Sequence, residues 1–176
     1  MVNEAMVANL YAARPGAKAR NGIIRVLAAA LLVTFPIHAE EFAGRVVGIA
    51  DGDTITVLVG VEPRRVRLAG IDAPEKGQPF SQRARQATSQ LVFGRTVRVI
   101  VRGQDRYGRT LGEVLLPDGT SVNERLVEEG WAWHYTSYSK GKRLAEREAA
   151  ARRSRRGLWV DPQPVPPWEF RTANRR

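Results

Sequence analysis

From residue 41 onward, short runs rich in valine and isoleucine alternate with clusters of turn-forming residues. Five such runs predict β-strands, at about 42 to 50, 53 to 60, 63 to 71, 95 to 102 and 110 to 116, separated by Asp-Gly, Glu-Pro, Arg-Gly and Pro-Asp-Gly signals. Three other stretches repeat apolar residues at helical spacing. Ser81 to Phe93 puts Ala84, Ala87 and Leu91 on one face and stops at Gly94. Ser121 to Glu129 opens as Ser-Val-Asn-Glu, where a serine hydroxyl and a glutamate three residues on can satisfy each other's free amides, and it stops at Gly130. Lys142 to Arg156, rich in alanine and arginine, predicts a third helix with a solvated basic face and ends at Gly157.

Three strands, a helix, two strands and two helices make an α+β domain that is mainly β. Five short strands with a helix between the third and fourth is the order of an OB-fold, a five-stranded Greek-key barrel, here with three helices. Beyond Trp159 the sequence Asp-Pro-Gln-Pro-Val-Pro-Pro-Trp-Glu-Phe-Arg predicts an extended tail, because proline opposes regular structure. The expected division is a leader over 1–39, one domain over 40–160 and a proline-rich tail over 161–176.

The leader follows from the order of its residues. Arg14, Lys18, Arg20 and Arg25 precede the apolar stretch Val26 to Ile37, and Ile-His-Ala ends before Glu40. Basic, apolar and small residues in that order predict a cleaved signal peptide and a secreted or periplasmic protein with no stable membrane partner. An uncleaved anchor reaching back to Ile23 is the alternative, although the run is short of the roughly 20 residues a membrane span needs.

Charge narrows the partners. The chain carries 28 lysines and arginines against 18 acidic residues, a net charge of +10. Without the four basic residues and Glu4 that precede residue 40, the balance is 24 against 17, so the domain itself is basic. That favours a polyanion such as nucleic acid. The absence of cysteine excludes disulfides, thiolate metal sites and a cysteine nucleophile. His134 stands alone among aromatics, with no partner at metal-ligand spacing.

Three short motifs could carry chemistry. Asp51-Gly52-Asp53-Thr54 is first a hairpin turn, and its two carboxylates also offer hard oxygens to calcium or magnesium. In Arg67-Leu68-Ala69-Gly70-Ile71-Asp72-Ala73-Pro74-Glu75 strand alternation puts Arg67 and Asp72 on opposite faces, with Pro74 fixing a bend between Asp72 and Glu75. Asp105-Arg106-Tyr107-Gly108-Arg109 is a charged turn that could bring a second arginine across the barrel mouth, and guanidinium suits phosphate oxygens.

Taken in order, and followed by Val122-Asn123-Glu124 and Gly130, these motifs resemble the thermonuclease family of staphylococcal nuclease-like domains, from about Phe42 to Trp159. The tail Pro-Pro-Trp-Glu-Phe-Arg looks like that of bacterial secreted members. The resemblance implies a monomeric, calcium-dependent nuclease that hydrolyses DNA and RNA at the 5′-oxygen–phosphorus bond and leaves 3′-phosphate ends. By that likeness Asp53, Asp72 and the main-chain carbonyl of Ala73 bind Ca2+ and Asp51 helps through water. Glu75 is then the general base, and Arg67 and Arg109 grip the phosphate. Tyr135 and Tyr138 fall near the family's nucleotide-contacting tyrosines, at an offset spacing. The connection from Glu75 to the first helix is shorter than that of the prototype nuclease.

A noncatalytic OB-fold module that binds single strands through basic and aromatic groups is the rival reading. Clustered carboxylates argue against it, since beside a polyanion they weaken binding unless a cation neutralises them.

Overall fold

In the computed structural model, which describes residues 40–174, five strands close into a barrel. They are β1 (Glu41–Asp51), β2 (Thr54–Val59), β3 (Glu62–Leu68), β5 (Thr96–Gln104) and β6 (Thr110–Leu115). A separate two-residue pair joins β4 (Ile71–Asp72) to β7 (Trp133–His134). The helices are α1 (Ser81–Val92), α2 (Val122–Glu128), α3 (Lys142–Arg153) and α4 (Pro167–Ala173). Around the barrel the order is β1, β2, β3, β6, β5 and back to β1. All pairs are antiparallel except β3 with β6, which gives the Greek-key path of an OB-fold. The expected signal peptide lies outside the described residues.

Strand alternation fills the barrel. Val46, Ile55, Val57, Val66, Val97, Val99 and Val114 are buried within it, and Ala84, Ala87 and Val92 of α1 and Leu126 and Val127 of α2 cover it. Ser121 caps α2 by accepting a hydrogen bond from the Glu124 amide at 3.4 Å, as its sequence predicts. A second cluster, Trp133, Ala151, Leu158 and Trp159, packs α3 beside the barrel, with Phe80 and Trp168 against it.

The sequence expectations need correction in two places. The predicted third strand ends at Leu68, turns through Ala69-Gly70, and resumes as the two-residue β4; Gly70 has φ of +75°, a left-handed conformation that glycine adopts without cost. The tail is not wholly extended, because Pro166 and Pro167 open a fourth helix at its first turn, where a missing amide hydrogen costs nothing.

Candidate active site

The ends of neighbouring strands bring the three motifs together at one mouth of the barrel. Asp51 pairs with Thr54 across the two-residue Gly52-Asp53 turn, so the hairpin reading of that motif is correct, and Thr54 pairs in turn with Arg67. Arg67 lies opposite Leu111 in the parallel β3–β6 ladder, two residues beyond Arg109. Gly52 is needed for the approach: a Cβ there would lie 2.7 Å from the Ala73 Cβ and 2.9 Å from the Ala84 Cβ. Thr88 of α1 steadies the turn by donating its hydroxyl to the Gly52 carbonyl at 2.6 Å.

Arg67 sits at the centre. Its Nη2 lies 3.0 Å from Asp53 Oδ2 and 2.7 Å from Asp72 Oδ1. Its Nη1 donates to the carbonyls of Leu68 and Ile71, both at 2.9 Å, holding the chain through the break between β3 and β4. That break cancels the strand alternation that would have put Arg67 and Asp72 on opposite faces. Asn123, buried in α2, fixes the same turn by donating to the Ala69 carbonyl at 2.9 Å. Its part in supporting the site was not read from the sequence, where Val122-Asn123-Glu124 served only as a marker of resemblance.

The two aspartates are almost wholly buried, Asp53 at 5% and Asp72 at 1% exposure. Burial pushes Asp53 up from 3.8 to about 8; Arg67 opposes the shift, and Asp51 and Asp72 add to it. Asp72 is raised as well, by burial, against the pull of Arg171 and Arg67. Asp53 Oδ2 accepts the Ala73 amide at 2.6 Å, which draws the strand end onto the hairpin turn. Asp51 Oδ1 accepts the Asp53 amide at 3.1 Å and so shapes the turn.

Arg109 reaches the other side of the mouth. Asp105 holds it by an ion pair of 2.6 Å and also accepts the Tyr107 and Arg109 amides, both at 2.9 Å. Burial works to raise Asp105, but these bonds outweigh it and hold the carboxyl below its ordinary value. Arg109 Nη1 lies 3.5 Å from the Thr54 hydroxyl, which is itself 3.3 Å from Asp53 Oδ1. An open hollow of about 520 Å³ lined by Arg65, Tyr107, Gly108 and Arg109 adjoins this edge.

Glu75 is placed by contacts that sequence reasoning missed. Its carboxylate meets Arg171 of α4 at 2.5 Å, and the same guanidinium spans Asp72 with contacts of 3.2 Å to Oδ1 and 2.8 Å to Oδ2. Burial disfavours the Arg171 charge, yet these carboxylates more than compensate and raise its pKa. Only the tail resemblance pointed toward Arg171. Tyr135 is taken up by a flat stack on Trp168, with centroids 5.2 Å apart, and by Tyr138 at 4.8 Å; Tyr138 is 77% exposed. Neither tyrosine has a contact with the carboxylates or Arg67 among the described hydrogen bonds.

The donor set suits a hard cation. Asp53, Asp72 and the Ala73 carbonyl supply oxygen only, which fits calcium or magnesium. Three carboxylates, Asp53, Asp72 and Glu75, face two guanidiniums, and Asp53 is raised to about 8 chiefly by burial, with the neighbouring Asp51 and Asp72 adding to the shift. Among the described residues, no group of three or more acidic or histidine side chains converges as a ready cage. Asp53 and Asp72, the carboxylates that could hold a cation, are both paired with arginines.

At the mouth of this small β-barrel buried aspartates gather with arginines, groups suited to the phosphates of a nucleic acid, and known proteins of similar sequence are nucleases. The model for the staphylococcal nuclease homologue family matches residues 65–161. A micrococcal nuclease of Shigella flexneri is 47% identical over 86% of this chain and 94% of its own length. Uncharacterized endonucleases of Escherichia coli and Haemophilus influenzae are 43% and 38% identical, over 80% and 84% of this chain and 92% and 85% of theirs. The chain belongs to the staphylococcal nuclease family, and it is a phosphodiester hydrolase acting on nucleic acid.

Proposed function

We propose that the protein is an exported, calcium-dependent endonuclease that cuts DNA and RNA at the 5′-oxygen–phosphorus bond. The observation that supports a cation is the buried Asp53–Arg67–Asp72 cluster, in which two buried aspartates share the Nη2 of one arginine and burial raises Asp53 to about 8. Asp53, Asp72 and the Ala73 carbonyl would hold Ca2+, with Asp51 assisting through water. The cation when bound would offset the charge of the phosphodiester and of the five-coordinate transition state.

The chain's own residues supply the rest. Glu75 takes the proton of the attacking water as its oxygen bonds to phosphorus. Arg67 and Arg109 donate to the equatorial oxygens, where charge accumulates. The bond to the 5′-oxygen breaks, that oxygen takes a proton from solvent water and leaves as a hydroxyl, and the phosphate stays on the 3′ side. Three of the five N–H donors of Arg67 are taken by hydrogen bonds to the Leu68 and Ile71 carbonyls and to Asp72, and Nη2 is also ion-paired with Asp53. Two donors of Arg67 remain for the phosphate. Export is supported by the order of basic, apolar and small residues over 14–39, and we take the working form to be a monomer.

Incubating the purified chain with single- and double-stranded DNA and RNA, in calcium and then in chelator, tests this reading. Cleavage in calcium with 3′-phosphate ends and none in chelator is expected; cleavage indifferent to chelator would overturn the cation requirement. Binding without cleavage in any divalent ion would favour the noncatalytic module. Arg109→Ala should lower kcat by about 100- to 1,000-fold, the usual worth of one preorganised donor. Because the Arg109 partner Asp105 lies on a charged turn away from the buried aspartates, thermal stability should hardly change. A near-normal rate would remove Arg109 from the site.

A further inference from the structure

The chain beyond the family match, which ends at residue 161, returns to the active site. It is held there at three points. The Val165 carbonyl accepts from Gln78 Nε2 at 2.5 Å, Trp168 stacks on Tyr135 with their planes within 2° of parallel, and Arg171 grasps Glu75 and Asp72. Gln78 is 5% exposed and works in both directions, since its Oε1 accepts the Glu75 amide at 2.9 Å. The tail thus secures Glu75 twice, at its main chain through Gln78 and at its carboxylate through Arg171.

Glu75 needs such support. It lies in the short loop between β4 and α1, its side chain is 38% exposed, and Arg171 is its carboxylate's one partner among the described hydrogen bonds. A glutamate there has several open rotamers, and a general base acts only from within hydrogen-bond reach of its proton. We propose that Arg171 is a positioning residue that holds Glu75 in the orientation for base catalysis, so that the C-terminal helix is part of the active site. This rests on the reading of Glu75 as the base.

Asp72 provides a way to tell positioning from a merely structural role. Its two oxygens have about four acceptor positions. Arg67 takes one and Arg171 two. Removing Arg171 frees acceptor capacity on a cation ligand while loosening Glu75. The rate should fall while cation affinity holds or tightens, whereas a collapsed site would lose both.

The experiment uses the full chain, with calcium binding followed by titration calorimetry and cleavage of single-stranded DNA at saturating calcium. Arg171→Ala should lower kcat by about 10- to 100-fold, less than the roughly 100- to 10,000-fold that base catalysis contributes because the base itself remains, with KM little changed and the calcium Kd equal or lower. Arg171→Lys should restore part of kcat. In Glu75→Gln, adding Arg171→Ala should slow cleavage little further. An Arg171→Ala enzyme as fast as the native one, or faster, overturns the proposal and makes the tail a plug. Weakened calcium binding in Arg171→Ala, or losses that add fully to those of Glu75→Gln, overturn it too. A native rate in Glu75→Gln removes the base assignment and this inference together, while a slow Glu75→Gln beside an unimpaired Arg171→Ala removes this inference alone.

Discussion

Arg67→Ala should be the most damaging single arginine replacement, because it strikes both the reaction and the fold. Loss of one preorganised donor to the transition state costs about 100- to 1,000-fold in kcat. Arg109→Ala should show that loss alone. Arg67 is also the charge between Asp53 and Asp72, both nearly solvent-free, and it ties the Leu68 and Ile71 carbonyls across the break that carries Asp72. Breaking a buried pair by removing one partner typically costs about 3 to 5 kcal/mol, since the remaining charge has no compensation. The aspartates limit that cost by taking up protons, so the destabilisation should be smaller at pH 5 than at pH 9. Thermal unfolding in chelator at both pH values, beside single-turnover cleavage in calcium, checks the prediction. Equal stability of Arg67→Ala and Arg109→Ala would contradict the central place of Arg67. Arg67→Lys should recover stability better than rate, as an ammonium supplies charge without the planar fork.

The contrast between these arginines shows which parts of the site sequence could convey. Asp51-Gly52-Asp53-Thr54 reads correctly as a hairpin because two-residue turns are local, and the barrel follows because its strands announce themselves as valine- and isoleucine-rich runs between turn signals. The meeting of Arg67 with Arg109 depends on the parallel pairing of β3 with β6, a nonlocal contact that only the fold class makes foreseeable. Arg67 and Asp72 were expected on opposite faces because strand logic was carried through Ala69-Gly70. The positive φ of Gly70 and the bonds of Asn123 reset the phase there, and neither leaves a periodic trace. Arg171 was beyond reach for a different reason. It is 96 residues from Glu75, on a proline-led seven-residue helix whose sequence reads as a tail.

These observations give the ionised site an electrostatic cost that stability opposes. Burial raises Asp53 to about 8, and the nearby carboxylates of Asp51 and Asp72 add to the shift against the pull of Arg67. The cost of ionising a buried carboxylate beside other carboxylates favours whatever brings positive charge, which is how a hard-cation site can gain affinity from a fold that is less stable without its ion.

Asp53→Asn should therefore stabilise the cation-free chain while destroying its activity. Asparagine keeps the shape and an acceptor for the Ala73 amide, now 2.6 Å from Asp53 Oδ2, and Arg67 keeps its pair with Asp72. What disappears is the ionisation. The folded pKa of Asp53, about 8, lies above its ordinary 3.8, so the folded state holds this proton more tightly. Its contribution to stability is complete below about pH 4 and is lost as pH rises through about 8. The native chain in chelator should thus lose stability between those limits, and Asp53→Asn should lose less. At pH 9 the variant should melt higher, by about a few degrees for a domain of this size. Calcium should raise the melting temperature of the native chain, more at pH 9 than at pH 6, where a proton competes for the same oxygens. It should barely move the variant, whose cleavage rate should fall by at least about 100-fold, since the offset of transition-state charge is lost with the ligand. Melting curves with calcium and with chelator at the two pH values would decide the matter. A variant that melts below the native chain at pH 9 without cation would show that Arg67 alone satisfies the Asp53 charge, and the site would then have no electrostatic need of a cation.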